Sequence, residues 1–338
     1  MTVVRNLRIS RLWWALAVLF YATAAAAGSK SGIVGPNACA ECHTEETRIW
    51  KGTHHHKTFR KMPRSKEARK IAKKLKIRRV KSATLCGGCH FTEEKVANKR
   101  RVTAGISCES CHGAAQNWIK VHSEFSGKGK KSAESKSEAA TRWKTAEKRG
   151  MIRPRALYDL AKNCYGCHVV PREKLVNVGG HPAGSAFNLV SWSQGEIRHN
   201  TWYSKGKSNA VADRKRQRMM YVVGLAVEIE TALRAVGEAT KPAAYAIRMA
   251  HRANDARGKM AAVVKAASNV PELKTILTLS HSAGLKLNNK PALTKVSDKI
   301  AEKVRQLVAK YDGTKLAAVD PLIPGSDKFR GKPEKKQK

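Results

Sequence analysis

Aromatic side chains are scarce in this chain. Phe, Trp and Tyr make up only 6% of its 338 residues. That length has room for roughly two domains, and 42% hydrophobic residues permit a packed core. So few aromatics, however, leave a large core short of bulk. Acidic residues are scarce too: 26 Asp and Glu stand against 66 Lys and Arg, a formal net charge of +40. Beyond the first 27 residues no apolar run approaches the roughly 20 residues that a membrane-spanning helix requires. Cysteine is absent from the C-terminal half, which excludes disulfides and covalent thioether chemistry there.

The cysteines that are present fall into one frame used four times: Cys39-Ala-Glu-Cys42-His43, Cys86-Gly-Gly-Cys89-His90, Cys108-Glu-Ser-Cys111-His112 and Cys164-Tyr-Gly-Cys167-His168. These motifs consume all eight cysteines. C-x-x-C-H is the attachment signal for c-type haem. Two thiols three positions apart reach the two vinyl groups on one porphyrin edge, and the adjoining histidine gives its imidazole to the iron. A thioredoxin-like redox pair explains one such match but not four. Zinc held by paired C-x-x-C units leaves the trailing histidines unexplained. The motifs therefore imply four covalently bound haem c groups, whose flat apolar surfaces supply the bulk that the aromatics do not.

Candidate second axial ligands lie between and after the motifs. His54-His55-His56 follows a short helical stretch, 45–50, and suggests at least one. His122 stands ten residues after His112, too near to cap the same iron through a helical segment, and suits a neighbouring haem better. No histidine follows the second motif until the third, so the second haem has no obvious local sixth ligand. His181, in a Gly/Pro turn, and His199, on a segment read as a helix ending near Tyr203, are both candidates after the fourth motif. Gly87 and Gly88 are read as allowing the backbone close to the porphyrin.

Residues 36–205 resemble the tetrahaem cytochrome c family that accepts electrons from hydroxylamine oxidoreductase in ammonia-oxidising bacteria. The resemblance is carried by Cys39 to His43, then Trp50 and His55, by the run G-I-S-C-E-S-C-H-G from Gly105 to Gly113, and by His122. It implies His122 as the distal ligand of the first haem and His55 as that of the third. The fourth takes a histidine from the segment after its own motif, His199 first and His181 second. In the family the second haem is five-coordinate; here it follows suit or takes His181. The resemblance also implies a carrier of electrons between redox proteins. An open second iron would instead make an enzyme acting on nitric oxide or hydroxylamine. A third reading is a haem subunit of a larger respiratory complex.

The first 27 residues read as a secretory signal. Arg5, Arg8 and Arg11 precede an apolar run from Leu12 to Ala22 and small residues at 23–28. This predicts a periplasmic protein, as covalent haem attachment requires, and argues against nucleic acid as the partner of so basic a chain. A redox partner with an acidic docking surface fits the charge, and peripheral attraction to an anionic membrane surface is the other option. The charge concentrates at 51–81, where eleven cations between Arg60 and Arg79 face the single acid Glu67 and a basic amphipathic helix is predicted over 65–79. Residues 124–140, rich in Ser, Lys and Gly, read as a mobile loop.

The fold class predicted is mainly α: a tetrahaem domain over 28–205 with little regular sheet, an antiparallel four-helix bundle over 209–315, and a basic disordered tail over 316–338. The bundle helices are marked by Met219 to Leu233, by a start at Lys241-Pro242, by Pro271 in a first turn, and by Leu293, Val296, Ile300, Val304 and Leu307 ending at Asp312-Gly313. The bundle's methionines read as core, His251 and His281 as ordinary histidines, and the bundle as a docking, oligomerisation or membrane-association module.

Overall fold

The computed structural model describes residues 32–96 and 99–332. The expected signal segment and the last six residues lie outside these. The protein is mainly helical, with one two-stranded sheet. No helix among the described residues is long and apolar enough to cross a membrane.

The first half is built of short helices. They are α1 (Pro36–Ala40), α2 (Thr44–Gly52), α3 (His54–Lys61), α4 (Lys66–Lys74) and α5 (Thr84–His90). The antiparallel strands β1 (Thr92–Val96) and β2 (Lys99–Ala104) follow. Then come α6 (Cys108–His112), α7 (Ile119–Ser123), α8 (Lys136–Lys148), α9 (Leu157–His168), α10 (Glu173–Asn177) and α11 (Leu189–Ser193). Helix starts follow their caps. Thr53 accepts the His56 N–H to open α3, and Ser65 accepts the Ala68 N–H to open α4. The segment read as a mobile loop contains the start of α8. Ser135 and Glu138 form a reciprocal capping box there, which outweighs the polar, glycine-rich composition before it.

The second half is α12 (Arg214–Glu238), α13 (Ala244–Ala266), α14 (Pro271–His281) and α15 (Lys290–Lys310), the four helices that the apolar periodicity predicts. Helix α12 is buried on nearly all sides, with Val222, Val223, Ala226, Val227, Ile229 and Leu233 inaccessible to solvent. Each large aliphatic side chain removed from water in this way contributes about 1.5–3 kcal/mol. Met219 and Met220 are core residues. His251 and His281 lie exposed on the bundle.

The expected division at 205–209 is not a division of the core. One apolar cluster runs from Leu157, Tyr158, Ala161 and Tyr165 on α9 through α12 to Leu307 on α15. A buried polar junction reinforces it: Glu230 on α12 accepts the Tyr158 hydroxyl at 2.9 Å and pairs with Lys162 of α9 and Arg234. The expectation of a disordered tail from 316 is corrected as far as 332. Leu316, Val319 and Ile323 are buried, Phe329 packs against the core, and Arg330 exchanges backbone hydrogen bonds with Ser191 and Glu196. A few apolar residues at the right positions suffice to hold this segment down.

Candidate haem sites

The second, third and fourth C-x-x-C-H motifs end α5, α6 and α9, and the first runs out of α1 so that His43 is the N-cap of α2; every motif histidine thus stands at a helix terminus. Local contacts fix the motifs to one another. In the third motif Glu109 is 1% exposed and accepts the N–H groups of Val34, Gly35 and Ala115 at 3.0, 2.8 and 2.8 Å, tying the segment that leads into the first motif to the third. Trp50 donates its indole N–H to the Ile106 carbonyl at 2.8 Å. Gly105 packs so closely on α3 that an added Cβ would lie 2.4 Å from the His55 carbonyl oxygen. Thr58, one turn after His55, donates to the His90 carbonyl at 2.9 Å. Helix α3 thus sits between the second motif and the segment before the third. Gly87, read as making room for a porphyrin, has a different neighbour: the Glu93 carboxylate, paired with Arg100 from the sheet, occupies the space of its missing Cβ.

Every motif histidine is faced by a second imidazole. The ring centroids are 6.4 Å apart for His43 and His122, 6.3 Å for His90 and His181, 6.1 Å for His112 and His199, and 6.3 Å for His168 and His55. Two metal–nitrogen bonds of about 2 Å each, plus roughly 1 Å from each nitrogen to its ring centre, put a trans imidazole pair about 6 Å apart. The four gaps fit an iron between each pair. None of the eight cysteines is paired in a disulfide. Among the described residues no three His, Cys, Asp or Glu side chains converge as a tetrahedral zinc site demands.

The ring nitrogens agree with this. His112, His122, His181 and His199 turn Nδ1 to the backbone carbonyls of Ile152, Ile119, Pro182 and Ile197 at 2.9, 2.5, 2.8 and 2.7 Å. A carbonyl only accepts, so the proton sits on Nδ1 and Nε2 is left as a free lone pair for a metal. His168 faces the Ser185 hydroxyl at 3.3 Å, and the Glu46 carboxylate lies 3.7 Å from His43. Burial lowers the pKa of His55, His112 and His122, and brings His90 and His168 down to about 4. These five imidazoles are neutral at pH 7, the form that binds iron.

The partners differ from those implied by the family resemblance in two places. His55 stands opposite the fourth motif and not the third, because α3 lies against the second motif and Gly105 holds the third motif behind it. His199 stands opposite the third motif and not the fourth. It lies in an irregular stretch just past a run of turns, since no helix forms between α11 and the 3-10 turn Trp202–Ser204. His181 faces the second motif. Of the other two clustered histidines, His54 pairs with Glu196 at 2.7 Å and His56 packs edge-on against Trp50.

The motifs form a line. The Cys39 thiol meets that of Cys108. Asn163, one residue before the fourth motif, donates to the Cys111 carbonyl at 3.0 Å. The Cys167 thiol meets Cys89 and the Gly88 carbonyl. The order in space is first, third, fourth, second. At the first end Cys42 is exposed, Trp202 lies 4.6 Å from His43 and is 48% exposed, and Tyr203 is 92% exposed. At the second end Leu75 and Ile71 pack on Gly179, and Lys74 approaches Gly180, so basic helix α4 lies against the His181 turn. Sequence reasoning missed the carbonyl acceptors, Ser185 and the exposed Trp202–Tyr203 pair. Backbone carbonyls leave no signal in side-chain identity.

C-x-x-C-H motifs whose histidines face second imidazoles are the marks of a c-type cytochrome. Within that class, residues 38–113 match the family described as cytochrome c554 and c-prime. The chain is also 28% identical over 145 residues to cytochrome c-554 of Nitrosomonas europaea, covering 40% of this chain and 57% of that protein. No solved structure matches the chain.

Proposed function

We propose that this chain is a periplasmic tetrahaem cytochrome that relays electrons between redox proteins. The reading gives it four haem c groups, whose irons the pairs His43/His122, His90/His181, His112/His199 and His168/His55 would hold, with Cys39, Cys42, Cys86, Cys89, Cys108, Cys111, Cys164 and Cys167 as the residues that would attach them. The observation that carries it is the set of four opposed imidazole pairs. When bound, the haems supply one-electron iron chemistry. The chain holds four of the eight imidazoles in a fixed tautomer through backbone carbonyls, packs Phe187 and Trp192 at 4.4 and 4.7 Å from the His168 ring, and sets the motifs in a line with two surface ends. A line open at both ends suits a relay that takes electrons at one end and passes them on at the other.

His181 opposite His90 favours the carrier over an enzyme with an open second iron. The cations of α4 beside the His181 turn suit an acidic partner at that end. Electron paramagnetic resonance of the haem-loaded oxidised protein tests the reading. It predicts only low-spin ferric signals, unchanged by nitric oxide or cyanide. A high-spin component that binds either ligand favours the enzyme.

A further inference from the structure

The helical bundle reaches into the fourth haem site. Four of the paired histidines secure Nδ1 on a backbone carbonyl, which any residue can supply. His168 uses a side-chain hydroxyl, Ser185 Oγ, at 3.3 Å. The position of that hydroxyl depends on the bundle. Arg252 of α13 donates through one Nη to the Ser185 carbonyl at 2.6 Å and through the other to Glu228 of α12 at 2.5 Å. Both charged side chains are largely buried, at 15% and 8% exposed. The Ser185 N–H also donates to the His168 carbonyl at 3.0 Å. Gly184, at φ +85°, makes the approach possible: an added Cβ would lie 2.8 Å from the Arg252 Nη and 2.9 Å from the Val169 carbonyl oxygen. A planar guanidinium fork bonded at two points fixes direction as well as distance.

We propose that Arg252, held by Glu228, is a positioning residue that sets the Ser185 hydroxyl against His168 Nδ1–H, so that the bundle tunes the iron of the fourth motif. The proposal rests on the bis-histidine reading above and assigns the bundle a task within electron transfer. With Nε2 on iron, Nδ1 keeps its proton and donates it to Ser185 Oγ. That hydrogen bond makes the imidazole a stronger donor, favours ferric over ferrous iron and lowers the reduction potential.

The test is a spectroscopically monitored redox titration of the full haem-loaded protein. The midpoint belonging to His168 is identified as the one displaced in His55→Ala. Ser185→Ala is expected to move that midpoint to a more positive potential and leave the other three in place, while Ser185→Thr, which keeps the hydroxyl, restores it. Arg252→Lys keeps the charge but loses the fork. It is expected to move the same midpoint in the same direction, with no further shift when combined with Ser185→Ala. Unchanged haem content and low-spin spectra separate these effects from misfolding. A Ser185→Ala midpoint that stays put, or an Arg252→Lys shift that is absent or persists undiminished in the Ser185→Ala background, overturns the proposal. Missing haem or a high-spin wild type overturns instead the reading on which it rests.

Discussion

A histidine becomes a metal ligand when one nitrogen is occupied and the other is aimed. The carbonyls of Ile119, Ile152, Pro182 and Ile197 do the first for His122, His112, His181 and His199. The opposed ring does the second. Replacing His122 or His199 by Ala is therefore expected to convert one low-spin haem, that of the first or third motif respectively, to high-spin, read as a paramagnetic-resonance component absent from the parent. If His55→Ala instead alters the third-motif haem, the pairing is wrong. The ring planes add a finer expectation. His43 and His122 are inclined by 13°, whereas His112 and His199 are inclined by 89°. Near-parallel axial rings give an ordinary rhombic low-spin signal and perpendicular rings a strongly anisotropic one, so the first-motif haem should show the former and the third-motif haem the latter.

At the scale of elements, the junction between α9 and α12 joins haem attachment to the bundle. Leu293 of α15 is fully buried, and Leu293→Ala is expected to cost about 2–5 kcal/mol by leaving a cavity, measured by denaturant unfolding. Glu230→Ala removes hydrogen bonds from a charged group to Tyr158 and Arg234 and is expected to cost about 1.5–3 kcal/mol. Arg218 on α12 binds Asp320 through two bonds of 2.7 Å and holds its carboxyl below the usual range. An aspartate whose folded pKa is depressed contributes stability above its unfolded pKa and loses it as pH falls through the folded one. Bundle stability is thus expected to decline below about pH 4, and less steeply in Asp320→Asn. The bundle helices were legible because aliphatic residues recur at three and four positions and because Pro242, Pro271 and Gly313 punctuate them. The cysteine motifs were legible because their spacing is the chemistry. The pairing of histidines was not. Which imidazole faces which depends on contacts such as Gly105 against α3 and Thr58 against His90, and those are tertiary.

At the scale of the whole molecule, the line of four motifs ends where the lysine- and arginine-rich helix α4 lies against the His181 turn. Exposed charges are screened beyond about 8 Å at physiological ionic strength. Electron exchange with an acidic protein partner is therefore expected to slow as salt rises, and stopped-flow rates over a salt series measure it. Rates independent of salt would remove electrostatic steering from the account. Reversing Lys70, Lys73 and Lys74 to Glu should flatten the salt dependence, while reversing Lys299 and Lys303 on α15 should leave it.

The central claim is that four irons each lie between two imidazoles, attached through all eight cysteine sulfurs. Intact mass together with the paramagnetic-resonance spectrum of the oxidised protein tests it most directly. The account predicts a mass raised by four covalent haems and a spectrum that is wholly low-spin. A mass equal to that of the bare polypeptide, or a stoichiometric high-spin signal, would contradict it.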